Sequence, residues 1–208
     1  MKTPFIIGVA GGSGAGKTYF INQLVKNFDQ GNLCLISQDN YYKKIDLVPV
    51  DKNGIKNFDT LEAIDFDLFI THLIKLQHGE TITMKEYTFN NKDKKPGNIS
   101  LKPAPIIIIE GIFVFSYPKL NELLDLKIFI ESAEDDKLKR RIFRDEIERG
   151  YDKSDVMYRY EHHVNPAYKK FIEPYKSSAD HVVSNNQFIE LQISEISKCI
   201  KETLLNLK

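Results

Sequence analysis

The sequence has no net charge, only two cysteines and no long apolar run, and each of these absences excludes a class of protein. Lysine plus arginine and aspartate plus glutamate balance at 29 each over 208 residues. A neutral chain has no global field for DNA, RNA or an anionic membrane, so any phosphate binding has to be local. Cys34 and Cys199 stand far apart inside apolar stretches with no metal-ligand spacing. They read as small buried hydrophobes in a reducing cytoplasm. The apolar run over 5–10 is too short for a signal segment and leads into glycines without a cleavage pattern. Nothing approaches the ~20 apolar residues of a membrane span, and no repeat or flexible linker divides the chain. The expectation is one cytoplasmic domain over 1–208 that binds neither nucleic acid nor membrane.

What is present alternates between short buried strands and amphipathic helices. Phe5–Ala10, Leu33–Ile36, Ile106–Ile109, Leu126–Ile130 and Val182–Val183 read as strands. Four consecutive isoleucines at 106–109 demand a central strand covered on both faces. A helix should follow residue 17, carrying Phe20, Ile21, Leu24, Val25 and Phe28. Asp65 can cap another that stops at Gly79. Ser132 with Asp135 resembles a capping box opening a charged helix to about Arg149. A helix from Ser154 meets Pro166, where a kink or break is expected. Ile189, Ile193, Ile196, Ile200, Leu204 and Leu207 mark a closing helix. Residues 81–102 alternate as two half-buried strands around a lysine-rich stretch, a small antiparallel insertion. The fold class is α/β: a parallel sheet flanked by helices, with that β insertion and a helical lid over 133–153.

Gly11, Gly12, Ser13, Gly14, Ala15, Gly16, Lys17 and Thr18 match G-x-x-x-x-G-K-[ST] between a predicted strand and a predicted helix. The glycines let backbone N–H groups close around phosphate oxygens, and the helix N-terminus adds partial positive charge. Lys17 reaches the terminal phosphates, and the Thr18 hydroxyl ligates Mg²⁺. A chance glycine-rich turn is the competing explanation, but such a match is expected in roughly one chain of this length in a hundred.

In an open α/β sheet the ligand crevice lies beyond the carboxyl ends of the strands. Glu110 ends the isoleucine strand and suits Mg²⁺ or a metal-bound water. Asp39 follows the second strand and can accept the proton of an attacking hydroxyl. Each alone could be a helix cap or a solvated loop acid. Arg140, Arg141, Arg144 and Arg149 lie on the charged helix. They form either a solvated salt-bridged face or a mobile lid that neutralises charge on a transferred phosphoryl group.

Taken in order, these segments resemble the uridine–cytidine kinases: Gly11–Thr18, Ser37-Gln38-Asp39-Asn40-Tyr41-Tyr42, Asn57-Phe58-Asp59, Glu110-Gly111-Ile112, Arg140-Arg141-Ile142-Phe143-Arg144-Asp145, Glu148-Arg149-Gly150 and Phe171-Ile172-Glu173-Pro174. The resemblance runs from about residue 5 to 183. It implies a uridine kinase-like fold, ATP (with GTP as the alternative) and Mg²⁺ on the donor side, a nucleoside acceptor, and often a homotetramer. It also implies Asp39 as catalytic base, Asp59 as ligand of the ribose hydroxyls, and Tyr87 and Phe89 in the nucleobase pocket. Arg141 then lies near the acceptor, and Arg144 and Arg149 are lid arginines.

The departures from the family pattern are on the acceptor side. Lys92 stands where the family usually has a base-contacting histidine, Tyr151 where an arginine follows E-R-G, and Arg159 where a glutamine is usual. Ser184-Asn185-Asn186 replaces a P-R-G segment. If Lys92, Tyr151 and Arg159 all line the pocket, it is about one charge more positive than usual, and an acid such as Glu86 or Asp93 should balance it. The resulting expectation is poor use of uridine and cytidine, or preference for a more acidic acceptor; the alternative is that Lys92 and Arg159 face solvent. Other readings are a kinase for another nucleoside or a sugar or sugar-phosphate alcohol, and a non-catalytic nucleotide switch. Asn91-Lys92-Asp93-Lys94 fails the GTPase [NT]-K-x-D pattern at its fourth position. A switch should also have lost Lys17, Asp39 or Glu110, and all three are present.

Overall fold

The computed structural model describes residues 3–89, 95–185 and 187–206. Five parallel strands form the sheet: β1 (Phe5–Ala10), β2 (Leu33–Ser37), β5 (Ile106–Glu110), β6 (Leu126–Glu131) and β7 (His181–Ser184), in the order β2-β5-β1-β6-β7. The pleat divides the isoleucine strand between two cores. Ile107 and Ile109 join Phe69, Leu73 and Phe113 on one face, while Ile106 and Ile108 join Phe20, Leu24, Ile193 and Ile196 on the other. A strand buried on both faces has no polar side to alternate, which explains the unbroken run.

Between these strands lie α1 (Lys17–Leu24), α2 (Phe66–Gln77), the short α3 (Pro118–Asn121), α4 (Glu134–Ile147), α5 (Lys153–Arg159) and α6 (Asn165–Ala167), and α7 (Ile189–Asn206) follows the last of them. The predicted insertion is an antiparallel pair, β3 (Ile82–Lys85) and β4 (Asn98–Leu101). Asp65 caps α2 as expected, its Oδ1 accepting the Leu68 N–H at 3.0 Å. Among the described residues no helix is long and apolar enough to cross a membrane.

Two local expectations need correction. Ser132 does not cap α4: Ala133 occupies that position without a side-chain bond, and Ser132 Oγ instead accepts from Arg140 Nη1 at 3.0 Å. Nor does Pro166 break the helical track. After α5 the chain winds through a π turn (Tyr160–Val164), α6 and a second π turn (Tyr168–Ile172). Widened turns re-route the backbone bonding past a residue that has no N–H to donate.

Candidate active site

β1 delivers the glycine loop to the carboxyl edge of the sheet, and α1 departs from it at Lys17. Gly14 and Gly16 adopt φ of 78° and 99°, left-handed conformations that tolerate little but glycine. A Cβ on Gly14 would stand 2.4 Å from the Lys137 carbonyl oxygen, and one on Gly16 2.0 Å from Asn185 Nδ2. Asn185 Nδ2 also donates to the Ala15 carbonyl at 2.9 Å, bracing the loop from behind. Lys17 Nζ donates to the carbonyls of Gly11 at 3.0 Å and Gly12 at 3.3 Å. Burial lowers its pKa, the carboxylates of Glu110 and Asp39 act against that, and Arg144 adds to it.

The two acids reach the crevice together because β2 and β5 are register-matched neighbours, with Ser37 opposite Glu110. Ser37 Oγ donates to Glu110 Oε1 at 2.5 Å and accepts the Asp39 N–H at 3.3 Å. Asp39 lies in the single turn Gln38–Tyr41 that this cap starts. Burial, followed by repulsion from Asp39, pushes the Glu110 carboxyl above its ordinary range, while Lys17 and the Ser37 hydroxyl hold it down. Opposed groups of this kind gathered in a cleft mark functional sites.

The other end of the cleft is aromatic. Tyr42 packs edge-on to Phe58 with ring centres 5.7 Å apart and lies 5.2 Å from Tyr87, which meets Phe89 edge-on at 4.9 Å. Tyr87 N–H donates to Asn40 Oδ1 at 3.1 Å, tying the β insertion to the turn that carries Asp39. Phe89 has φ of 52°, an uncommon conformation for a bulky residue, and the Arg149 guanidinium carbon stands 3.6 Å from its ring centre. Asp59 is buried to 8% exposure, its own N–H held at 2.9 Å by Asn57 Oδ1.

The arginines are organised by Asp145, the acid that closes the motif and to which the sequence assigns no role of its own. Asp145 is only 3% exposed. Its carboxylate lies 3.2 Å from Arg141 Nε, 2.9 Å from Arg144 Nε and 3.2 Å from Arg149 Nη1. Ser13 Oγ in turn accepts from Arg141 Nη1 at 2.9 Å and Arg144 Nη2 at 3.4 Å. The charge run is therefore an ordered cluster against the phosphate loop. Its sequence signal was an acid with arginine four residues away on each side.

One cleft of about 500 Å³ collects Ser13, Gly14, Gly16, Lys17, Thr18, Asp39, Asp59, Tyr87, Phe89, Glu110, Arg141, Arg144, Arg149 and Arg159. Gly11, Gly12 and Ala15 form the remainder of the loop behind it. Lys92 and Asp93 lie outside the described residues. Tyr42, Phe58 and Tyr151 also line the cleft. Arg159 reaches it and does not carry an uncompensated charge: Nε pairs with Asp155 at 3.0 Å and Nη1 donates to the Lys56 carbonyl at 2.8 Å. The acid that balances it is Asp155, one turn earlier on α5.

The chain matches the family described as "Phosphoribulokinase / Uridine kinase family" over residues 6–190. It is 35% identical to a uridine kinase of Clostridium botulinum (strain Kyoto / Type A2), covering 97% of this chain and 100% of that one. A uridine kinase of Oceanobacillus iheyensis is likewise 35% identical, covering 98% and 99%. Among solved structures, a D-glycerate 3-kinase from Cryptococcus neoformans var. grubii superposes with a TM-score of 0.62 at 12% identity, over 88% of this chain and 87% of that one. That likeness speaks to the fold.

Proposed function

The chain belongs to the phosphoribulokinase/uridine kinase family and is a P-loop small-molecule kinase, and from that premise we propose that it transfers the γ-phosphoryl group of ATP, with Mg²⁺, to the 5′-hydroxyl of uridine or cytidine. The observation that carries the acceptor assignment is the four-ring wall of Tyr42, Phe58, Tyr87 and Phe89 next to the buried Asp59. A planar base stacks face to face on such rings, and a carboxylate pairs with vicinal ribose hydroxyls, so the wall favours a nucleoside over a sugar phosphate that has no base.

The residues fit the donor and its cation. The left-handed glycines hold the loop open to phosphate, and Lys17, bonded to its own loop carbonyls, can turn to an anion without breaking an ion pair. Thr18 and Glu110 offer the hard oxygens that Mg²⁺ prefers, and Mg²⁺ takes few protein ligands alongside phosphate oxygens. Once bound, Mg²⁺ would neutralise charge on the transferred phosphoryl group. Asp39 accepts the proton of the acceptor hydroxyl, whose oxygen forms the new bond to phosphorus while the bond to the β-phosphate oxygen breaks. Lys17, Arg144 and Arg149 stabilise the charge that spreads over the phosphoryl oxygens. Residues 133–153, held to Ser13 by Arg141 and Arg144, act as the lid that excludes water.

With Arg159 paired to Asp155, that side chain sets no unbalanced charge against a neutral acceptor. Uridine and cytidine should therefore release ADP faster than sugars or sugar phosphates in a coupled screen, and Asp59→Asn should erase that preference. Faster ADP release with a sugar phosphate would contradict the nucleoside assignment.

A further inference from the structure

The segment between Tyr42 and Asn57 is held by polar contacts. Ile45, Leu47 and Val50 are exposed, so the segment gains little from burial, although Val48 is packed inside. Its tip folds on itself: Asp51 N–H donates to the Ile55 carbonyl at 2.9 Å, and Asp51 Oδ1 accepts the N–H groups of Asn53 at 2.8 Å and Ile55 at 2.9 Å. The other carboxylate oxygen, Oδ2, faces the helical track more than a hundred residues further along the chain. It accepts the Tyr158 hydroxyl at 2.8 Å and lies 2.8 Å from His163 Nε2. Asn53 Nδ2 donates to Tyr158 Oη at 2.6 Å, and Arg159 Nη1 closes the seam on the Lys56 carbonyl.

Three observations distinguish this seam from an ordinary surface contact. His163 is 2% exposed, and its Nδ1 is buried with no hydrogen-bond partner among the described residues, so Asp51 is the one polar contact its ring makes there. A carboxylate held ionised by backbone donors only accepts, so His163 Nε2 carries the proton. Tyr158 and His163 are also five residues apart, which on a regular α-helix sets them about 140° apart around the axis. The π turn over Tyr160–Val164 brings both onto one oxygen, with ring centres 5.8 Å apart. Such turns recur at functional positions.

The segment runs directly into Asn57-Phe58-Asp59, and its first turn contributes Ile45 to the cleft wall. We propose that Asp51, Tyr158 and His163 form a clasp that positions the acceptor-binding edge of the cleft, acting through Phe58 and Asp59. They are positioning residues that do not line the cleft, and the proposal rests on the reading of Asp59 as an acceptor ligand.

The test compares His163→Leu, which removes the donor, with His163→Gln, whose amide can place an N–H near the former Nε2, and with Tyr158→Phe. Two measurements are made on the full chain: amide hydrogen exchange over residues 44–60, and steady-state kinetics with uridine and ATP. The clasp predicts that His163→Leu exchanges faster over 44–60 and raises KM for uridine about tenfold, the scale of one lost hydrogen bond to a charged group, with kcat and KM for ATP within about twofold. His163→Gln should recover most of both effects, and Tyr158→Phe should fall between. Unchanged exchange in His163→Leu, equal behaviour of the Leu and Gln variants, or a loss confined to kcat would overturn the clasp. A wild-type enzyme that phosphorylates no nucleoside contradicts the proposed acceptor instead, and the exchange data still decide whether the clasp holds the segment.

Discussion

Arg141 and Asp145 lie one turn apart on α4, with Arg141 Nε 3.2 Å from the carboxylate and both side chains almost wholly buried. The contact is an ion pair without hydrogen-bond alignment, since Nε itself has no aligned acceptor. Its strength therefore comes from charge, and Arg144 and Arg149 share the same carboxylate. Asp145→Asn removes the carboxylate that the three guanidinium groups share, leaving Arg141 the longer contact to Asp59 at 4.0 Å. Breaking a buried pair in this way costs about 3–5 kcal/mol. Urea denaturation should report a loss of that size together with collapse of turnover; a variant as stable as wild type would mean the arginines find other partners.

Asp39→Asn separates catalysis from binding. If Asp39 accepts the hydroxyl proton, turnover should fall at least ~10²-fold, the scale of general-base catalysis, while ATP affinity by titration stays near wild type. Loss of ATP affinity with turnover preserved would make it a structural or cation-binding acid.

The two cysteines should differ in reactivity. Cys34 is buried in β2, and burial pushes its thiol up to about 11, whereas Cys199 on α7 is half-exposed. A disulfide-exchange reagent at pH 8 should titrate one thiol quickly in the native protein and the second only after unfolding, because the thiolate is the reactive form. Two fast thiols would contradict the packing of that strand.

Asp51 supplies a pH signature. Burial alone would raise its pKa, but donors from Ile55, His163, Tyr158 and Asn53 outweigh it and hold the carboxyl well below its usual range. A depressed folded pKa gives stability that is complete above the unfolded value, about 3.9, and lost as pH falls through the folded one. Wild type should therefore melt above Asp51→Asn at pH 7, and the gap should begin to narrow near pH 4 and shrink progressively on further acidification. A gap that widens on acidification would reverse the assignment.

The glycine-loop half of the cleft was legible because its sequence signals are local. A phosphate loop, and acids one or two residues beyond a strand end, declare themselves within a few positions, and parallel register then brings Ser37 and Glu110 level. The aromatic half depends on pairings that residue counts do not capture. At Arg159 the balancing acid is Asp155, one turn earlier on α5, a partner that a comparison of pocket positions alone does not reveal. Asp145 looked like one acid in a charge run until burial made it a shared counter-ion. The Asp51–His163 contact joins positions 112 apart through a π turn that no periodicity announces. Of the kink or break expected at Pro166 the break is absent, because widened turns, which propensity does not foresee, carry the helical track past it.

The reaction proposed for this cleft is phosphoryl transfer from ATP to a nucleoside hydroxyl. Its most direct test is a single-turnover reaction of the wild-type protein with ATP, Mg²⁺ and uridine, the nucleoside product being identified by mass and by phosphorus NMR. Uridine 5′-monophosphate should form one-for-one with ADP, and Lys17→Ala should abolish both products. ADP that accumulates with free phosphate while uridine remains unmodified would contradict the claim.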